Sequence, residues 1–190
     1  MLYGCRYEKT FCSRKEEMDY QRALVEKLLQ WALLREYGLD ISKLHRDRTP
    51  EGKPFFTDCT VQFSLSHCTG LVCCALSRFP VGVDGECSRP VSERLIERVC
   101  TDRERAWLSG QPDRTAGFLS LWTLKESVMK LSGQGIAYGF QNASFTFEGP
   151  QPSFCEPGMC LSQFVLPGGW TVSVASWKER FSRLELVDLA

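Results

Sequence analysis

Leu121-Trp122-Thr123-Leu124-Lys125-Glu126-Ser127-Val128-Met129-Lys130 is the end of a helix that the spacing starts near Arg114. Leu121, Leu124 and Val128 recur at intervals of three and four and form one apolar stripe. Glu126 and Lys130 lie four apart and share a face. Lys125 sits one position round the rod. One carboxylate and two ammonium groups are thus carried on a rigid element beside a buried stripe. Taken alone, the stretch fits an ordinary solvated Glu–Lys face equally well. Short strand-like runs flank it on both sides, so the fold class is α+β.

Two upstream stretches add chemistry. Val81-Gly82-Val83-Asp84-Gly85-Glu86 is a short apolar run ending in two acids spaced by two. In an extended strand, residues i and i+2 project to the same side. Two carboxylates held that close resist ionising together unless a cation lies between them. Hard oxygen ligands of this kind suit Mg²⁺. A strand followed by a polar turn is the plainer reading. Phe63-Ser64-Leu65-Ser66-His67 alternates like a strand and ends in a hydroxyl and an imidazole, both able to donate to phosphate oxygens. A capping serine at a strand end is its plainer reading.

The chain has 190 residues, enough for one large domain or two small ones. Lys plus Arg number 23 and Asp plus Glu 23, so there is no global basic field to attract nucleic acid, and an anion site has to be local. Met1 to Thr10 is charged and lacks the apolar centre of a signal peptide, and no run is long enough to span a bilayer. A cytoplasmic protein with no membrane or nucleic-acid partner is expected. Ten cysteines include no C-x-x-C pair, so zinc is not suggested. Reduced thiols acting as small buried hydrophobes are expected. Cys73 and Cys74, adjacent in an apolar run, would point to opposite faces of a strand.

The rest of the chain reads as two helix-plus-sheet halves. Met1–Phe11 is a first strand. Ser13, with Glu16 three residues on, caps a helix that runs to Tyr37 and stops at Gly38. Asp40–Leu44 is a short helix. The stretch from His45 to Pro54 is a polar basic loop, either solvated surface or a phosphate cradle. Gln62–Leu65 and Leu71–Leu76 are strands joined by a turn over Ser66–Gly70. Helices follow over Val91–Val99 and after Thr101. Leu131–Gly139 is a glycine-rich exit. Ala143–Phe147, Leu161–Leu166, Thr171–Trp177 and Leu184–Val187 are strands, with a loop over 149–158 and a turn at Pro167-Gly168-Gly169.

In order along the chain, Gly52-Lys53-Pro54, Ser66-His67, Gly82-Val83-Asp84-Gly85-Glu86 and Trp122 to Lys130 resemble one family, the phosphopantetheinyl transferases, in their larger Sfp-like branch. That family's pattern is G-K-P, a strand ending in S-H, G-[VI]-D-x-E and [WF]-[ST]-x-K-E-[SA]-x-x-K. The resemblance implies two similar subdomains related by a pseudo-twofold, each a small antiparallel sheet packed on a long helix. The division is expected as 1–85 and 86–190, with the active site in the cleft between them. It also implies a monomer that transfers the phosphopantetheine arm of coenzyme A to a serine of an apo acyl or peptidyl carrier protein. The leaving group would be 3′,5′-adenosine bisphosphate.

By that resemblance Asp84, Glu86 and Glu126 would ligate Mg²⁺. Glu126 would also take the serine proton. Lys125 and Lys130 would hold the pyrophosphate, and Ser66 and His67 would contact phosphate oxygens. Lys53 would lie at the adenine or ribose end. Arg14, Lys15 and Arg22, with Arg46 and Arg48 behind them, are the candidates for the 3′-phosphate. Arg89, Arg94, Arg98 and Arg103 are candidates for the face that docks an acidic carrier. Gly85 stands where the family carries a bulky apolar residue, and glycine permits a bend that would turn Glu86 away. Two other readings stay open. One is a catalytically idle relative that binds coenzyme A or a carrier. The other is a different Mg²⁺-dependent phosphate enzyme, against which stands the lack of a G-x-x-x-x-G-K-[ST] loop.

Overall fold

The computed structural model describes residues 1–147, 153–154, 156 and 158–190. In chain order the first part comprises β1 (Leu2–Arg6), α1 (Arg14–Tyr37), a 3₁₀ turn (Ile41–Lys43), β2 (Arg46–Arg48), β3 (Pro54–Phe56), β4 (Gln62–Cys68) and β5 (Leu71–Ser77). The second comprises β6 (Val81–Cys87), α2 (Glu93–Val99), α3 (Asp102–Ser109), α4 (Arg114–Ser132), a 3₁₀ turn (Gly135–Tyr138), β7 (Phe145–Thr146), β8 (Ser153–Phe154), β9 (Met159–Leu166) and β10 (Trp170–Trp177). β11 (Glu185–Val187) returns to the first sheet, parallel to β1.

The two parts share one connectivity. A strand, a long helix and a hairpin form a sheet in which the last strand lies in the middle. The first sheet runs β11-β1-β5-β4 and the second β6-β10-β9, with antiparallel pairing of β1, β5 and β4 and of β6, β10 and β9. The α+β class and the helix-on-sheet halves therefore agree with expectation.

The sheets lie face to face with the helices outside. On β5, Val72, Cys74 and Leu76 face α1 and its buried residues Leu24, Val25, Leu28, Leu29, Ala32 and Leu33. The alternate residues Leu71, Cys73 and Ala75 face Val81 and Val83 of β6 and Val172 and Val174 of β10. Cys73 and Cys74 do point to opposite faces. α4 covers the far side of the second sheet with Leu121, Leu124, Val128 and Leu131.

Local signals explain the ends of α1. The Ser13 hydroxyl accepts from the Glu16 amide, and Gly38 takes the left-handed conformation (φ 65°) that ends the helix. Several expected boundaries differ. Ser66, His67 and Cys68 belong to β4 rather than to a turn, because β4 pairs with β5 up to Cys68–Leu71 and only Thr69-Gly70 turns. The basic loop forms the β2–β3 hairpin. The loop expected over 149–158 lies largely outside the described residues, and within it Ser153–Phe154 pairs with Phe145–Thr146. The division expected at 85/86 falls inside β6, which pairs with β10 from Val81 to Cys87. The break between sheets therefore precedes Val81, and β11 crosses back over it.

Candidate functional site at the meeting of α4, β4 and β6

Alternation along β6 sets the site. Val81 and Val83 turn into the core between the sheets. Gly82, Asp84 and Glu86 occupy the opposite face, toward α4. A Cβ on Gly82 would stand 2.0 Å from the Ser127 carbonyl oxygen and 2.4 Å from the Leu131 amide nitrogen. Only glycine lets the α4 backbone press this close to the strand. That approach brings the next residues of the strand face, Asp84 and Glu86, beside Glu126 and Lys130 of the helix. β6 runs straight through Gly85, which pairs with Val172. The bend that would have turned Glu86 away does not occur.

Asp84 is the centre. It is 6% exposed, and its Oδ1 accepts from Lys130 Nζ at 2.7 Å and from the Ser66 hydroxyl at 3.0 Å. Its Oδ2 is buried with no hydrogen-bond partner among the described residues. An unpartnered buried carboxylate oxygen is costly unless something else binds it. Glu126 stands nearby with its pKa pushed up to about 7, first by burial and then by the charge of Asp84, with Glu86 adding to the effect. Glu86 is raised too, chiefly by burial, and Arg89 Nε lies 3.4 Å from its Oε2. Two carboxylates with raised pKa values beside a third that has a free buried oxygen make a donor set that fits a hard divalent cation. Among the described residues, no three His, Cys, Asp or Glu side chains already converge in metal-ligating positions. Lys130 and Arg89 neutralise the acids instead.

The Ser66 hydroxyl accepts from the Gly85 amide at 3.1 Å and lies 3.2 Å from Lys130 Nζ, while the Ser64 hydroxyl accepts from the Val83 amide at 3.0 Å. These two serines take the place of backbone carbonyls where the edge of β4 meets the edge of β6. Ser66 therefore holds Asp84 and the strand seam and is not turned out toward a ligand, contrary to expectation. Ser64 was not singled out by sequence, although the S-x-S alternation puts both hydroxyls on one side.

His67 is exposed. Its Nδ1 lies 2.9 Å from Gln21 Oε1, and Gln21 Nε2 donates to Tyr7 Oη at 2.7 Å. The amide oxygen can only accept, so Nδ1 carries hydrogen and Nε2 is left for the cleft. Burial lowers the imidazole pKa, helped by the nearby cations Lys130 and Arg22. No sequence pattern linked Gln21 to His67. Arg22 thus lies at the His67 end, 3.8 Å from Asp19, and Lys15 pairs with Asp19 at 3.1 Å. Arg14 is exposed at the start of the same helix.

At the other end, Lys53 lies with Pro54, Phe63, Leu65, Met129 and Lys130 around a pocket of about 260 Å³ between the two halves. Its ammonium donates to the Val81 and Leu131 carbonyls at 3.1 and 3.0 Å, and burial lowers its pKa to about 8.

Two expectations are corrected. Lys125 is fully buried on the far side of α4, where it ion-pairs with Glu104 at 2.9 Å and donates to the Phe140 and Ala143 carbonyls. One step round the helix from Glu126 carries it into the second core, so it cannot reach a pyrophosphate in the cleft. Glu104, which also accepts from the Thr101 and Phe145 amides, is its structural counterpart. Arg46 is held bidentate by Glu26 at 2.7 and 2.9 Å, and Arg48 donates to the Gly52 carbonyl. Both are therefore committed within the hairpin and its contact with α1. Arg94, Arg98 and Arg103 are exposed on α2 and α3.

Residues 80–175, from the start of β6 through most of β10, match the family model of the 4'-phosphopantetheinyl transferase superfamily. The 4'-phosphopantetheinyl transferase gsp of Aneurinibacillus migulanus is 31% identical over 147 residues, covering 69% of this chain and 62% of its own. The enzyme psf-1 of Bacillus pumilus is 33% identical over 133 residues, 68% of this chain and 56% of its own. Sfp of Bacillus subtilis is 30% identical over 125 residues, 64% and 56%. The chain thus spans little more than half the length of these relatives. The holo-[acyl-carrier-protein] synthase (AcpS) of Thermotoga maritima overlaps only partially, with a TM-score of 0.45 and 19% identity over 54% of this chain and 64% of that one. The matched segment contains β6 with Asp84 and Glu86 and α4 with Glu126 and Lys130, and on that match the chain belongs to the 4'-phosphopantetheinyl transferase superfamily.

Proposed function

We propose that this chain transfers the phosphopantetheine arm of coenzyme A to a serine of an apo carrier protein in a Mg²⁺-dependent reaction. The observation that carries the reading is the unpartnered buried Oδ2 of Asp84 beside Glu126, whose pKa is raised to about 7. Asp84, Glu86 and Glu126 would hold the ion, which when bound supplies neutralising charge to the diphosphate ester. Glu126, on the cleft side of α4 beside Asp84, would accept the serine proton. The serine oxygen then bonds to the β-phosphorus as the bond to 3′,5′-adenosine bisphosphate breaks. Lys130, which now donates to Asp84, would offer its ammonium to the phosphate oxygens, and His67 would present Nε2 from the β4 side. Such catalysis is mainly positioning and charge stabilisation. Arg22, with Arg14 and Lys15, offers positive charge to the 3′-phosphate at the His67 end, and the pocket beside Lys53 receives another part of coenzyme A.

The nine described cysteines are all free, and no described helix is long and apolar enough to cross a membrane. We propose a reducing compartment, the cytoplasm.

A second reading has one observation in its favour. Lys130 and Arg89 already neutralise Asp84 and Glu86, as in a relative that binds coenzyme A or a carrier without catalysis. Incubation with coenzyme A, Mg²⁺ and an apo carrier protein separates the two. A mass gain equal to the phosphopantetheine arm on the carrier serine, abolished by Glu126→Ala, is expected. Coenzyme A binding with no mass gain across a panel of apo carriers would establish the idle reading.

A further inference from the structure

β4 and β6 run side by side in the same direction, held by serine side chains. Ser64 receives the Val83 amide and Ser66 the Gly85 amide, so the offset between the strands is constant at 19 residues. Two residues further on, the same offset sets Cys68 opposite Cys87. Cys68 follows Ser64 and Ser66 on the side of β4 that reaches for β6. Cys87 follows Val83 and Gly85 on the side of β6 that faces the first sheet. Both are free cysteines, and the offset of the seam sets them across from one another. Both residues are partly exposed, whereas Cys5, Cys73, Cys74 and Cys100 are buried. A small oxidant in solution can therefore reach this pair.

We propose that Cys68 and Cys87 are a reversible disulfide site, formed by exchange with a small-molecule disulfide, that fastens the first sheet to the second beside Glu86. The Cys87 sulfur, its proton lost to water, bonds to one sulfur of the oxidant and expels the other half as a thiolate. The Cys68 sulfur, also losing its proton, then attacks the Cys87 sulfur of this mixed disulfide and expels the second half. Two protein thiols are oxidised and one small disulfide is reduced to two thiols, so electrons balance. The bond continues the serine seam by covalent means. It closes a short loop across β5, Pro80 and β6, and it needs nothing from the transferase reading.

The test uses the whole chain, equilibrated with oxidised and reduced glutathione and then alkylated. Oxidation should remove two titratable thiols with a mass loss of two hydrogens. Non-reducing digestion should yield one linked pair of peptides containing Cys68 and Cys87. Dithiothreitol should restore both thiols. The oxidised protein should melt roughly 5–10 °C higher, since a short closed loop constrains the unfolded chain. Cys68→Ser and Cys87→Ser should each prevent the two-thiol loss and leave the partner cysteine as a glutathione adduct. The proposal is overturned if the linked peptides contain Cys73 or Cys12 instead. It is equally overturned if wild-type protein keeps both thiols, or if either serine variant still loses two.

Discussion

The two halves repeat one connectivity yet meet their helices in different ways. In the first, β1 turns Tyr3 and Cys5 toward α1, and Tyr3 donates its hydroxyl to Glu36 on the helix. Bulky side chains keep strand and helix at an ordinary distance, and of the polar residues of α1 only Gln21 is buried. In the second, β6 turns Gly82 and then two acids toward α4. The helix backbone lies where a Cβ would be, and α4 is buried on nearly every side, including Thr123, Lys125 and Ser127. The same topology thus makes a scaffold in one half and a charged site in the other. What separates them is whether the strand facing the helix lets it come close.

The largest expected effect comes from removing that closeness. Gly82→Val puts atoms into the backbone of Ser127 and Leu131, which cannot move aside, and should cost at least about 4 kcal/mol or prevent folding. Gly4→Ala, in the first half, meets only the ends of leucine side chains, Leu186 at 3.0 Å, Leu184 at 3.3 Å and Leu71 at 3.4 Å, and should cost about 1 kcal/mol. Urea melts of the two variants measure the contrast. Similar costs would remove the distinction drawn here.

Next is the buried pair behind α4. Lys125→Met should destabilise the protein by about 3 kcal/mol, because Glu104 is left fully buried without its ion-pair partner. Glu104→Gln combined with Lys125→Met should recover part of that loss. If Lys125 instead served the cleft, Lys125→Met would weaken coenzyme A binding at unchanged stability.

Glu126→Gln should act in the opposite sense. The carboxyl's folded pKa, about 7, lies above its unfolded value of 4.5. The folded state therefore holds the extra proton between those values, and metal-free stability falls as pH rises from about 4.5 to 7. Neutral glutamine removes that loss, so the variant should gain about 1–2 kcal/mol at pH 7, roughly 3–6 °C in Tm, and show little gain at pH 4.5. Transfer activity should vanish while the protein grows more stable. Thermal melts at both pH values without metal check the sign.

The smallest structural effect belongs to the exposed arginines of α2. Changing Arg94 and Arg98 to Glu should alter stability by less than about 0.5 kcal/mol. The KM for an acidic carrier should rise and the KM for coenzyme A should not change. A carrier KM equal to wild type would leave that face without a docking role.

What sequence could tell followed from how local each signal was. The ends of α1 were legible because Ser13 and Gly38 act within one turn of themselves. The stripe Leu121, Leu124 and Val128 was legible because periodicity marks a buried face. It does not say whether the other faces are buried too, and so Lys125 was expected beside Glu126 in the cleft. Its actual partner, Glu104, comes from a separate helix that no spacing rule links to it. Ser66 was read as a free donor because the seam it closes depends on β6 arriving alongside β4, a long-range event. The β2–β3 hairpin went unseen because Arg46, Asp47 and Arg48 lack the apolar alternation that marks a strand. The division at 85/86 followed the end of the acidic motif, whereas the chain changes sheet before it, at Pro80.

The central claim is that Gly82 brings α4 close enough for Glu126 and Asp84 to share one divalent ion. Binding of Mn²⁺ as a probe, followed by electron paramagnetic resonance in the presence of coenzyme A, tests it most directly. One site in the wild type, weakened at least about tenfold by Asp84→Asn and equally by Glu126→Gln, is the predicted result. A Glu126→Gln protein that binds Mn²⁺ as tightly as wild type, or a wild type with no site, would contradict it.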